Sequence, residues 1–268
     1  MEIKSKYLRE FIKEITYKNR NPQDIKVLSL LDDISTNPER IIYPGEKLFR
    51  CRIIKKGASI NKKENFYGFD DKGSFVSPSS KTRDMRANYR YIPYLYCTND
   101  PYIALVEVRP RLGANVSIAT IEAKEKLTLL DFTNGKKPPK MTDAKANLFS
   151  DLSSMFSKPV TDDDDITDYI PTQFIAEYAK KLGYDGIVFR SSLVPDINDN
   201  QMERFNIVVF NYQKCEPVKS NVIEITNQFY DCHQIDEDSK RINIKSFLEE
   251  ELDELDDKFN RLISGSGV

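Results

Sequence analysis

The sequence predicts an α+β fold: a β core with flanking helices, preceded by a helical extension and followed by an acidic helix. Three observations predict it. Apolar residues recur at helical spacing near both ends and again around residue 175. Short β-branched and aliphatic runs, bounded by turn residues, lie between those helices. The composition, 40% hydrophobic and 31% charged over 268 residues, suits one large domain with a real core and additions at its ends.

Tyr7, Leu8, Phe11, Ile12 and Ile15 form one helical face, so residues 5–17 read as an amphipathic helix. Asn21-Pro22 ends it, residues 25–34 read as a second helix, and residues 1–46 as a whole read as an N-terminal helical extension. The central domain is expected over 47–215. It opens with a strand at 47–54, followed by a Gly/Ser/Pro-rich stretch at 68–80, which is polar enough for a binding loop or lid. A strand at 94–97 leads into a short helix with Asp100 as cap, Pro101 in its first turn and Pro110 as its stop. Strands follow at 116–123 and 127–132. Residues 134–168 read as a polar insertion with some helix of its own, and its run of aspartates, 162–165, reads as solvated surface rather than a metal cage. Pro171, Phe174, Ile175, Tyr178, Ala179 and Leu182 mark a helix stopped by Gly183, and strands at 187–190 and 205–210 complete the core. Residues 216–268 read as an acidic helical region, with a helix at 241–263 that could dock a partner or inhibit in cis.

Several classes are excluded. No apolar run approaches the roughly 18 residues a membrane span needs, and the first residues lead into an amphipathic helix rather than an apolar signal core; a cytoplasmic protein is expected. Cys51, Cys97, Cys215 and Cys232 are scattered without a C-x-x-C pair, so reduced thiols are expected rather than zinc or a disulfide framework. His233 is the one histidine, which leaves little basis for a metal site or a histidine general base; no metal and no prosthetic group are expected. Neither Gly-x-Gly-x-x-Gly nor a phosphate-loop motif is present. The net charge is −2, yet residues 47–90 carry twelve Lys/Arg against four Asp/Glu, a basic segment suited to a phosphate-bearing ligand. No basic helix with interleaved aromatics accompanies it, so a nucleic-acid-binding module is not expected.

In chain order, the unusual polar residues are Arg50 on a strand, Arg86 with Asn88 before a strand, Tyr96 at a strand end, Glu107 on the apolar helix and Ser191 after a late strand. Arginine holds a diphosphate with charge-assisted donors, tyrosine stacks on a ring, and a carboxylate stabilises an oxocarbenium-like sugar cation. A nicotinamide dinucleotide offers all three targets. Plainer readings stand beside these: Tyr96 as core, Arg50 and Glu107 as a buried salt bridge, Ser191 as a strand-end cap.

In order along the chain, Leu48-Phe49-Arg50-x-Arg52, Arg86-Ala87-Asn88, Tyr94-Leu95-Tyr96, Ala104-Leu105-Val106-Glu107-Val108-Arg109-Pro110, Leu129-Leu130-Asp131 and Gly183-Tyr184-Asp185-Gly186-Ile187-Val188-Phe189-Arg190-Ser191 resemble the RES-domain family over about residues 47–212. The resemblance implies an ADP-ribosyltransferase-like fold and cleavage of the nicotinamide–ribose bond of NAD, by water or by phosphate, in a toxin or phage-defence effector. Carried over by position, Arg50, Glu107 and Ser191 are the catalytic residues, and Arg50, Arg52, Arg86, Asn88 and Tyr96 bind the NAD substrate. Arg52 and Ser192 adjoin the motif positions, so either arginine and either serine can be the motif residue. The expected partners are NAD and an antitoxin or regulatory protein; an oligomer is left open. The alternative function is an ADP-ribosyltransferase that modifies a macromolecule.

Overall fold

Ser5 accepts the Leu8 amide with its side chain and so starts the first helix, α1 (Lys6–Tyr17), whose Leu8, Phe11 and Ile15 are buried. In the computed structural model the described residues are 3–55, 68–133, 138–158, 166–193, 204–227, 233–235 and 241–243. They fall into two units, Met1–Ile225 and Thr226–Val268.

In the first unit α1 and α2 (Lys26–Asp32) are followed by β1 (Glu39–Ile42), β2 (Lys47–Ile53), the short helix α3 (Asp71–Phe75), β3 (Leu95–Thr98) and α4 (Pro101–Glu107). Then come β4 (Asn115–Ala123), β5 (Leu127–Asp131), α5 (Asp143–Ser157), α6 (Ile170–Lys181), β6 (Gly186–Arg190), β7 (Phe205–Val209) and β8 (Cys215–Glu224). The strands make one sheet in the order β1-β5-β6-β7-β3-β2-β4-β8. Its neighbours run antiparallel except β5 and β6. The α+β class read from the sequence is the one the structure has.

Four sequence expectations about the first unit need correction. The boundary at 46/47 falls inside the unit, because β1 pairs with β5 and the α1 side chains share a core with Leu130, Ile175 and Val208. Each such buried side chain contributes about 1.5–3 kcal/mol, which is ample reason for a layer rather than an appendage. The described residues of the expected insertion, 138–158 and 166–168, include α5, which belongs to the core. Parallel strands cannot be joined by a tight turn and need a crossover of a dozen or more residues, and α5 with α6 is that crossover between β5 and β6. Residues 216–224 are not helical: they belong to β8, an edge strand that tolerates Pro217 because the β4–β8 register shifts there, at Thr120/Ile121. Residues 68–80, expected as a polar binding loop or lid, are not all loop, because residues 71–75 form α3. Asp70 caps α3, Ser74 is fully buried, and a Cβ on Gly68, at φ +104, would fall 2.7–2.9 Å from Ile54, Val222 and Ser117 side-chain atoms.

In the second unit β9 (His233–Ile235) pairs antiparallel with β10 (Arg241–Asn243). Residues 241–243 therefore pair as a strand, which suits the β-branched Ile242, instead of opening a helix. The rest of that expected helix, Cys232 and the aspartate run 162–165 lie outside the described residues. Among the described residues no helix is long and apolar enough to cross a membrane.

Candidate active site

The sheet has a weak join. β2 and β3 share one register pair, Phe49↔Thr98, while β2 pairs with β4 over seven residues and β3 with β7 over four. Around that join lies a cavity of about 680 Å³ lined by β2, β3, α4, β7, the 77–88 segment and the C-terminal end of α5. Its size is that of a site for a substantial small-molecule ligand. Six cationic side chains line it (Arg50, Lys81, Arg83, Arg86, Arg109, Lys158) against two carboxylates, Asp84 and Glu107, so the cleft favours an anion.

Glu107 is the last residue of α4. Asp100 sets that helix by accepting the Tyr102 and Ile103 amides at 2.8 and 3.1 Å, and Ile103 and Ala104 anchor it in the core. The Glu107 Oε1 accepts from Ser191 Oγ and from Asn206 Nδ2, each at 2.7 Å. Two residues on, Arg109 lines the cleft with φ +45, a left-handed conformation that costs a non-glycine residue about 1–2 kcal/mol.

Arg50 lines the cleft and donates to the Ser74 carbonyl at 2.7 Å. Among the described residues it forms no ion pair, with Glu107 or any other carboxylate. Burial, with Arg52 nearby, lowers its pKa to about 10, which still leaves a full positive charge at neutral pH. Arg52 does not line the cavity: its guanidinium sits 4.0 Å over the Phe69 ring and donates to the Gly73 carbonyl, holding α3 against the sheet. Arg86 is buried, donates to Met155 O at 3.2 Å and lies 5.2 Å over the Tyr169 ring.

Tyr96 lines the cleft, but its hydroxyl donates to Asn88 Oδ1 at 2.7 Å and accepts from the Ala87 amide at 3.2 Å. Burial raises its pKa, so the phenol stays neutral and the ring is what it offers a ligand. Asn88 is fully buried and its amide nitrogen is committed to the Arg83 and Tyr89 carbonyls; it shapes the turn that carries Arg86. Ser191 reaches the site through Glu107, whereas Ser192 lines the cavity directly. The Ser191 hydroxyl thus holds the Glu107 carboxylate.

Two residues escaped the sequence reading. Asn206 is the polar residue inside the apolar strand Phe205-Asn206-Ile207-Val208-Val209, a signal of the same kind that singled out Glu107. Gln173, buried on α6, donates to both Met85 O and Asn88 O and so pins the Arg86 turn. Nothing local marks it, because that turn is distant in sequence.

The described thiols are buried. Desolvation raises Cys51 to about 12, Cys215 to about 11 and Cys97 well above the usual value. A folded-state pKa above the unfolded one gives stability that is complete below about 9 and is lost as pH rises, because only the unfolded chain then releases its protons. Folding stability should hold between pH 7 and 8.5 and fall by about 1 kcal/mol per thiol from 9 to 10, lowering the thermal midpoint with it. A midpoint unchanged across that window in scanning calorimetry would refute the buried-thiol account.

The family model described as "RES domain" matches residues 61–230, a span that holds Arg86, Tyr96, Glu107, Ser191 and Asn206 and begins after Arg50. A search of curated proteins returned no match. Among solved structures, the crystal structure of the M. tuberculosis MbcT–MbcA toxin–antitoxin complex is similar at a TM-score of 0.41 and 13% identity, over 74% of this chain and 93% of that one.

Proposed function

The chain belongs to the RES-domain family, and from that membership and the geometry of the Glu107 cleft we propose that it cleaves the nicotinamide–ribose bond of NAD. One observation carries the reading. A carboxylate held by Ser191 and Asn206 stands in a cavity whose other charged side chains, Asp84 aside, are cationic. The cations suit the diphosphate; the carboxylate suits the sugar cation.

When the glycosidic bond breaks, its electron pair stays on the nicotinamide nitrogen and cancels the ring's positive charge. The leaving group departs neutral, so no general acid is required, in keeping with a cleft that among the described residues contains no histidine. Positive charge then develops on the ribose, where Glu107 stabilises it. Arg50 and Arg86 hold the diphosphate, and Tyr96 presents its ring to the nicotinamide. Water or phosphate adds an oxygen lone pair to the ribose carbon, and water releases its proton to solvent.

Unrestrained NAD loss would poison the cell that makes the protein. The proposed role is therefore a toxin or defence effector restrained by an antitoxin or regulatory protein. Purified protein incubated with NAD, with and without phosphate, tests the reaction by product chromatography. Nicotinamide with ADP-ribose marks hydrolysis, and a phosphorylated ADP-ribose formed only with phosphate marks phosphorolysis. Intact NAD in both, with the partner removed, would refute the reading.

A further inference from the structure

We propose that Asn206 is a positioning residue that acts through Glu107, fixing the plane of the carboxylate and so the direction in which its second oxygen faces the substrate. The inference deepens the NAD-cleavage reading and rests on it for its kinetic consequences.

Both hydrogen bonds to the carboxylate end on the same atom. Ser191 Oγ and Asn206 Nδ2 each reach Oε1 at 2.7 Å, and among the described residues Oε2 accepts no hydrogen bond. A carboxylate held by one donor can still swing its plane about that contact. Two donors converging on one oxygen from separate segments oppose the swing and fix the direction in which the other oxygen meets the cleft. Hydrogen bonds to an ionised acceptor are roughly twice as strong as neutral ones, so the restraint is substantial.

The spacing of the donors is set by the sheet. Asn206 lies in β7, opposite Phe189 of β6 on one side and Thr98 of β3 on the other. Ser191 follows β6 directly, its amide donating to the Arg204 carbonyl at 3.4 Å. Asn206 is thus clamped between two strands, whereas Ser191 sits where the ladder ends. The side chain is also chemically specific. An amide offers Glu107 a donor without a charge, while an aspartate there would offer only oxygens to an anion.

The test is a double-mutant cycle on NAD turnover, supported by a structure. Asn206→Ala should lower kcat about 10- to 100-fold through misplacement of the carboxylate, with KM for NAD within about twofold. Asn206→Asp should lose more than Asn206→Ala. In a Glu107→Gln background Asn206→Ala should cost nothing further, because there is no charge left to position. A purely structural role would lower turnover equally in both backgrounds, and that result, or wild-type kcat in Asn206→Ala, overturns the proposal. A crystal structure of Asn206→Ala gives a readout independent of turnover. The Glu107 carboxylate should leave its wild-type orientation or split between two, and an unmoved carboxylate overturns the proposal whether or not the wild-type protein consumes NAD. Wild-type protein that leaves NAD intact refutes the NAD reading alone, and the structural arm still decides the role of Asn206.

Discussion

Glu107→Gln is expected to reduce NAD consumption by about 10²- to 10³-fold, the scale at which removal of one preorganised electrostatic contact acts. The substitution is nearly isosteric. Its amide oxygen can still accept from Ser191 and Asn206, so the helix end and the cleft wall should keep their packing and the thermal midpoint should stay within a few degrees. What disappears is the negative charge facing a ribose that becomes cationic as the bond breaks. The loss should therefore fall on kcat more than on KM, because the cationic side chains proposed to hold the diphosphate still line the cleft. Initial-rate measurements settle the matter, and a variant turning over at a comparable rate would remove Glu107 from the chemistry.

The second large effect concerns stability. Phe149→Ala should cost about 3–5 kcal/mol, the usual range for truncating a buried phenylalanine. Phe149 is 3% exposed and its ring lies 5.3 Å from Phe132. Phe132 stacks on Phe156 at 5.0 Å, and Phe156 on Phe189 at 5.5 Å. This aromatic series ties α5 to β6, and Phe156 and Phe189 also border the cleft. With each kcal/mol worth about 2–4 °C for a chain of this size, the midpoint should drop by roughly 10 °C. A drop of only a degree or two would mean that α5 stands outside the core; the sequence alone reads its residues as part of a polar insertion.

That contrast shows what was legible in the sequence. Elements with local signals could be read: Ser5 and Asp100 as caps, Gly183 as a helix stop at φ +95, and the apolar alternation of β4. So could some of the odd residues that line the cleft, since Arg50, Tyr96 and Glu107 each interrupt an apolar run. Features defined by partners distant in sequence could not. β1 is four residues long and becomes a strand by pairing with β5. β8 is polar and contains a proline, and only β4 beside it makes it an edge. The crossover role of α5 follows from β5 and β6 being parallel, which no window of sequence reveals. Arg52 illustrates the same limit within the site. It shares a strand face with Arg50 and reads identically, yet Phe69 and Gly73 take it away from the cleft.

The single Phe49↔Thr98 pair has a mechanical consequence. Arg50 stands on one side of it and Tyr96, Asn206 and Ser191 on the other, so the proposed anchor for the anion and the clamp on the carboxylate hang from opposite covers of a book with one stitch in its spine. A compound gripping both covers sews them together, whereas one gripping a single cover leaves the stitch as loose as before. Amide exchange around Phe49 and Thr98 would tell the two kinds of ligand apart without any bond being cut.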